Sequence, residues 1–246
     1  MRLRWPLFAG LVLTGLFQLW PGIDLWVSGQ FYSADAGFAL AGDPALQLLR
    51  AVLWNAATIV ALASALALGL SALLGRAARV SPRIWAFAAL MFVLGPGLIV
   101  NGILKTFWGR ARPRDIEAFG GNLQFTPPVG LTDECARNCS FVSGEAASAV
   151  TLAIVIGVLL WHRLPQGAIR RGIVALLVLL AFTGSGLRVA MGGHFLSDVL
   201  FAALIVWALA LGLARALDLG GARGSLSRAN HAAELRGLAA RITRRA

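Results

Sequence analysis

Residues 171–217 read RGIVALLVLLAFTGSGLRVAMGGHFLSDVLFAALIVWALALGLARAL, two long apolar runs separated by a short link. Each run, 171–190 and 196–217, is long enough to cross the hydrocarbon core of a bilayer as a helix, which takes about 17 to 25 residues. Three ionisable residues lie around the link, within eleven positions of one another: Arg188, His194 and Asp198. Ionisable groups at such a place are costly, and they are therefore candidates for function.

Further apolar runs precede this pair, at 5–21, 52–74, 84–104 and 146–162. Of the 246 residues, 58% are hydrophobic and 13% are charged, which is about half the charged fraction of a typical soluble domain. We therefore predict an all-α integral membrane protein, a six-helix bundle over residues 1–217 with a basic cytoplasmic tail at 218–246. No small-residue cleavage site follows the first run, which favours a retained anchor over a signal peptide.

The arginines predict how this bundle is oriented. They cluster before the first run, in the connections 75–83 and 162–171, and in the tail, and such clusters belong on the cytoplasmic side. Both termini are therefore predicted to be cytoplasmic. Segments 21–51 and 105–145, together with the link before His194, are predicted to lie at the periplasmic face of a bacterial inner membrane.

Segment 105–145 is basic although it is predicted to lie outside. Basic residues on that side need another explanation, and binding an anion is the obvious one. The net charge of +11 does not indicate nucleic acid as a partner, because the arginines lie at the ends of apolar runs rather than along one continuous face. The predicted partners are the lipid bilayer and a lipid substrate.

Two features leave alternatives open. Residues 229–246 place apolar and arginine side chains on different helical faces, which is typical of a helix on an anionic membrane surface. The same residues could equally be a disordered basic tail. Cys135 and Cys139 could form a disulfide in an oxidising compartment or remain two free thiols.

Lys105 and Arg112 form the first piece of a candidate site. They are seven residues apart and share a face while the chain stays helical, and Pro113 then turns the chain out of the helix. An ammonium and a guanidinium side by side suit a phosphate group. The alternative is that both side chains only anchor the helix at the membrane interface.

Ser143 and Gly144 form the second piece, just before the fourth run. A glycine allows backbone N–H groups to approach an anion, and a helix N-terminus adds a favourable dipole. The third piece is Arg188, His194 and Asp198. His194 and Asp198 are four residues apart and can share a helix face, where the carboxylate would orient the imidazole; a purely structural pair is the alternative.

Together the three pieces resemble the motifs of the type-2 phosphatidic acid phosphatase superfamily, which contains membrane lipid phosphatases. The order, the spacing and the placement at the outer ends of the spans all match, over roughly residues 50–217. The matching motifs are Lys105-x6-Arg112-Pro113, Ser143-Gly144 and Arg188-x5-His194-x3-Asp198.

The resemblance implies a role for each position. His194 is implied to be the nucleophile that forms a phosphohistidine, and Asp198 its orienting partner. The implied phosphate clamp consists of Lys105, Arg112, Arg188, Ser143 and the Gly144 backbone. Neither a metal ion nor a cofactor is implied, because the cations and backbone donors neutralise the developing charge.

Glu145 is the main departure from the family pattern, which has a histidine after Ser-Gly. That histidine protonates the leaving oxygen, so Glu145 is either a substitute acid or a first-turn residue that stabilises the helix dipole. A second departure is Leu187 where the family has serine before the arginine.

The sequence thus predicts a membrane lipid phosphatase. If the leaving group needs little protonation, as in a diphosphate or a sugar-1-phosphate, lipid A or a polyprenyl diphosphate is favoured over phosphatidic acid, and we take lipid A as the preferred substrate. The alternatives are an undecaprenyl-diphosphate or phosphatidylglycerophosphate phosphatase, a lipid-to-lipid phosphotransferase, and a non-catalytic lipid-binding or transport protein.

Overall fold

A computed structural model describes residues 4–74, 80–161, 164–226 and 236. Within those ranges the chain is helical, and its extended pairs are two isolated bridges. The helices are α1 (Arg4–Leu19), α2 (Gly22–Gly29), α3 (Pro44–Leu74), α4 (Pro82–Phe107), α5 (Gly144–Trp161), α6 (Ala168–Ala190), α7 (Leu196–Ala216) and α8 (Leu219–Ala222). The predicted all-α membrane fold is confirmed, because α3 to α7 are long and apolar enough to cross a bilayer.

The first predicted span, 5–21, is helical but bent at its end. Helix α1 has only 16 residues, and it meets α2 at an angle of 81° at a break that contains Pro21. The described residues therefore contain a sixth crossing only if α1 and α2 are counted together. In α2, Asp24 and Ser28 are buried and face the protein, whereas Trp26 is 69% exposed.

Helix α7 lies at the centre of the bundle, where it packs against α1, α4, α5 and α6. The apolar core includes Phe87, Met91, Phe141, Val155 and Val206. The outward faces of α3 and α6 are apolar and exposed, as lipid-facing surfaces are. Examples of these exposed side chains are Leu62, Leu66, Val178 and Phe182.

Helix α4 is irregular where it approaches the candidate site. Residues Val93–Leu104 are π-helical and include Pro96, which cannot donate a backbone hydrogen bond. The Asn101 side-chain amide donates to the Pro96 carbonyl at 2.7 Å. A Cβ added at Gly144 would lie 2.7 Å from Asn101 Oδ1, so glycine there allows α5 to begin against α4.

The connection 108–143 folds back over the ends of the helices. Trp108 stacks on Phe141 with ring centroids 4.5 Å apart, and its indole N–H donates to the Pro128 carbonyl at 2.8 Å. Cys135 and Cys139, left open by the sequence, are joined by a disulfide. These contacts fix the position of the connection over the site, although it contains no long helix.

The start of the predicted tail packs against the bundle. Leu219, Ala222 and Leu226 are buried and belong to the main apolar core. The amphipathic helix predicted at 229–246 lies outside the described residues except for Arg236.

Candidate active site

The predicted site residues meet at one end of the bundle. Lys105 lies in the last turn of α4, Glu145 in the first turn of α5, Arg188 in the last turn of α6 and Asp198 in the first turn of α7. A cavity of about 270 Å³ opens at this point. Its lining is Ala41, Gln47, Arg50, Lys105, Arg112, Arg114, Asn138, Glu145, Arg188 and Met191. Five of these residues are basic and one is acidic, so the cavity is suited to an anion.

His194 is buried, with 1% of its surface exposed. Its Nδ1 lies 2.7 Å from the Ser140 carbonyl oxygen, which can only accept, so Nδ1 carries the proton and donates. The other nitrogen, Nε2, then holds a lone pair. Burial lowers the pKa of His194 from 6.5 to about 3, and the nearby charges of Lys105 and Arg112 act in the same direction. The imidazole is therefore neutral at neutral pH and able to act as a nucleophile.

Asp198 lies close to His194 but does not accept a direct hydrogen bond from it. The Nδ1–Oδ2 distance is 3.7 Å, longer than a hydrogen bond. Asp198 Oδ2 accepts instead from the Ser140 hydroxyl and, at 2.9 Å, from the Phe195 backbone N–H. The two residues predicted to pair are thus linked through Ser140, which contacts both of them.

Arg110 is a central residue that the sequence did not single out. Its guanidinium is fully buried and donates to Asp198 at 2.6 Å, Asp24 at 2.9 Å and Ser197 at 2.9 Å. Asp24 comes from α2 and also accepts from the Ser197 backbone N–H at 2.9 Å. Two buried carboxylates therefore share one guanidinium, so the group behind His194 carries a net negative charge if both are ionised.

The cations of the predicted clamp are held by the outer connection. Asn138 lies between the two cysteines, and its Oδ1 accepts from Lys105 at 3.3 Å and from Arg112 at 3.0 Å. The Asn138 carbonyl accepts a second bond from Arg112 at 2.6 Å. Burial, and then the charge of Arg114, lower the pKa of Arg112, which remains a cation at neutral pH.

The Arg188 guanidinium packs directly against Gly193. A Cβ at Gly193 would lie 2.5 Å from Arg188 Nη2, so a larger residue there would displace the guanidinium. Among the described residues no acceptor takes a hydrogen bond from Arg188 Nε. The Arg188 side chain lines the cavity, where it can bind an anion.

Ser143 and Gly144 lie at the start of α5, as predicted. The Ser143 hydroxyl accepts from the Ala146 backbone N–H at 3.3 Å, and its own N–H donates to the Asp198 carbonyl at 3.3 Å. Ser143 is fully buried. Its direct contacts therefore cap α5 and tie that helix to α7.

Glu145 forms a two-pronged ion pair with Arg50, a second residue that the sequence did not single out. Arg50 Nε and Nη2 donate to the two carboxylate oxygens, each at 2.7 Å. Arg188 Nε lies 3.4 Å from Oε1 of the same carboxylate. The general-acid role of Glu145 stays a prediction, and these contacts argue against it because they favour the carboxylate that holds no proton.

Comparisons with known proteins identify the family of this chain. The family model of the PAP2 superfamily matches residues 84–219, more than half of the chain. The chain belongs to the PAP2 superfamily. All eight predicted site residues fall within the matched range. Helices α1 to α3, which supply Asp24 and Arg50, precede it.

Three relatives of this PAP2 chain are named lipid A 4'-phosphatase. A lipid A 4'-phosphatase from Rhizobium leguminosarum is 33% identical over 235 residues, which cover 87% of this chain and 95% of the relative. A lipid A 4'-phosphatase from Francisella tularensis subsp. novicida is 30% identical over 218 residues, which cover 83% of this chain and 92% of the relative. The comparison with solved structures found no match.

Proposed function

We propose that this protein is a membrane phosphatase that removes a phosphate group from lipid A. The observation that carries the proposal is a neutral, buried His194 with a free Nε2 lone pair, next to a cavity lined by five basic side chains. The names of the relatives support lipid A as the substrate and its 4'-phosphate as the group removed.

In this mechanism Lys105, Arg112 and Arg188 bind the phosphate oxygens. His194 Nε2 attacks phosphorus, a bond forms between nitrogen and phosphorus, and the bond to the sugar oxygen breaks. The electron pair leaves with that oxygen, which takes a proton from water. The hydroxide that this water leaves then attacks phosphorus of the phosphohistidine, the bond between nitrogen and phosphorus breaks, and hydrogen phosphate and neutral His194 are released.

The buried network behind the ring favours the same step. The imidazole ring becomes more positive when Nε2 binds phosphorus, while Nδ1 keeps its proton and donates it to the Ser140 carbonyl. When Asp24 and Asp198 are both ionised, they together outweigh the charge of Arg110. Their net negative charge therefore stabilises the ring more in the phosphorylated state than in the free enzyme.

The first prediction is that purified protein in detergent releases inorganic phosphate from lipid A faster than from undecaprenyl diphosphate, phosphatidylglycerophosphate or phosphatidic acid. Free phosphate is measured by a colorimetric assay, and the lipid product by mass spectrometry. His194→Asn is the control for contaminating phosphatases. Phosphate that appears on a second lipid instead of in solution indicates a phosphotransferase. Binding of lipid without either outcome contradicts the proposed activity.

We also propose that the protein lies in the bacterial inner membrane with both termini in the cytoplasm and the cavity at the periplasmic face. The distribution of arginines supports this orientation. So does the disulfide next to the cavity, because disulfides persist in oxidising compartments.

The orientation is tested with single cysteines in a Cys135→Ser, Cys139→Ser background. Leu131 is 74% exposed in the outer connection, and Gln166 is exposed at the opposite end of the bundle. In intact spheroplasts, a membrane-impermeant maleimide is expected to label Leu131→Cys at once and Gln166→Cys only after permeabilisation. The reverse order would place the active site in the cytoplasm.

A further inference from the structure

The ion pair between Arg50 and Glu145 lines the cavity, where the Arg50 side chain is 37% exposed. The Glu145 side chain is 20% exposed, and both of its oxygens are engaged by Arg50 at 2.7 Å. Arg50 is fixed from its other side, because its Nη1 donates to Gln47 Oε1 at 3.1 Å. Gln47 in turn donates to the Ala41 carbonyl at 2.6 Å. The start of α3 thus sets the position of the carboxylate.

Glu145 also lies against a cation of the phosphate clamp. Its Oε1 is 3.4 Å from Arg188 Nε, and the Arg188 side chain is only 9% exposed. A guanidinium this far removed from water is costly unless a negative charge lies close to it. When no phosphate is bound, Glu145 supplies that negative charge on the Nε side of the Arg188 guanidinium.

The same contacts explain how the protein manages without the family histidine at this position. A proton on Glu145 would weaken both hydrogen bonds from Arg50, because such bonds are stronger to the charged carboxylate. The cavity of about 270 Å³ has room for several water molecules, each of which takes about 30 Å³. The leaving oxygen can therefore take its proton from water.

We infer that Glu145 is a positioning residue that holds the Arg188 guanidinium ready for phosphate, and that Arg50 belongs to the active site because it fixes Glu145. This inference rests on the proposed phosphatase function. It extends the site to α3, which lies outside the family match at residues 84–219. It also gives Glu145 a charge-bearing role in place of proton transfer.

Glu145→Gln is the first test. The rate constant kcat should fall by about tenfold to a hundredfold, which is the usual cost of a misplaced binding group. The loss should be the same for lipid A and for nitrophenyl phosphate, whose oxygen leaves without protonation. KM should not rise, because the variant removes a negative charge from a cavity that binds an anion. A loss confined to lipid A would instead make Glu145 the proton donor and overturn the inference.

Arg50→Gln is the second test, and unlike Glu145→Gln it should weaken substrate binding. The freed carboxylate of Glu145 would compete with phosphate for Arg188, so kcat should fall and KM should rise. In the double variant, which adds Glu145→Gln, KM should fall part of the way back to the wild-type value, because the competing charge is gone. Residues that act as one unit give such non-additive effects. Additive losses in the two single variants and the double variant would contradict the link between them.

Two controls keep the result interpretable. Arg83 and Asp218 form an exposed ion pair at 3.0 Å at the other end of the bundle, and Arg83→Gln should change neither kcat nor KM. Arg50→Lys keeps the charge without the two-pronged geometry, and it replaces Arg50→Gln if that variant does not fold.

Binding of inorganic phosphate separates this inference from the proposed function. If the wild-type protein hydrolyses no substrate, the phosphatase function fails, and calorimetric titration with phosphate still tests the inference. Arg50→Gln should then weaken phosphate binding more than the double variant does. Equal or greater weakening in the double variant would overturn the inference on its own.

Discussion

Replacing His194 with alanine is expected to lower the rate of phosphate release at least about a thousandfold, because the covalent route through Nε2 is lost. The measurement is kcat/KM for lipid A in detergent, with the thermal unfolding midpoint taken on the same samples. The folded fraction should change little, since the ring contributes one hydrogen bond, to the Ser140 carbonyl.

His194→Asn is the matched variant for this experiment. An asparagine amide can still donate to the Ser140 carbonyl, but it has no nucleophilic nitrogen. It should therefore be as inactive as alanine while packing better. Phosphate release near the wild-type rate by either variant would show that His194 is not the nucleophile.

Arg110→Met is expected to be strongly destabilising. The change leaves Asp24 and Asp198 buried without their guanidinium, and breaking a buried ion pair in this way costs about 3–5 kcal/mol. The thermal unfolding midpoint in detergent measures the effect. Activity should be lost as well, because Asp198 accepts from Ser140, which contacts His194.

The same loop offers a control for this variant. Arg114 is four residues away and 53% exposed, so Arg114→Met should leave the unfolding midpoint nearly unchanged. Adding Asp24→Asn to Arg110→Met should restore part of the stability, because one of the two unpaired charges is removed. If Arg110→Met unfolds at the same temperature as Arg114→Met, the buried network does not stabilise the fold.

The spans were predictable because hydropathy reports directly on contact with lipid. Helices α4 to α7 begin and end within a few residues of the predicted runs. Helix α3 was the exception, since it begins at Pro44 rather than at residue 52. The extra turns contain Gln47 and Arg50, polar residues that point into the cavity and lower the mean hydropathy of that stretch.

The candidate site was predictable only in part. The spacing of Lys105 and Arg112 predicts a shared helical face, which is wrong, because α4 ends at Phe107 and Arg112 is extended. The two cations meet instead because both donate to Asn138. Arg110 meets Asp24 across 86 residues, and Arg50 meets Glu145 across 95 residues. No local pattern distinguishes Arg110 from the neighbouring arginines of the same loop, so its role became visible only in three dimensions.

The network around Arg110 also sets a limit on how this enzyme can be shortened or recombined. A fragment trimmed to the family match at residues 84–219 would lose Asp24 and Arg50 together with α1 to α3. Arg110 would then pair with Asp198 alone, and Glu145 would lose its ion pair with the Arg50 guanidinium. A chimera that takes α1 to α3 from a relative must therefore contain an acidic residue opposite Arg110 and a basic residue opposite Glu145. If the relative lacks either residue, α1 to α3 and the rest of the bundle have to be exchanged together.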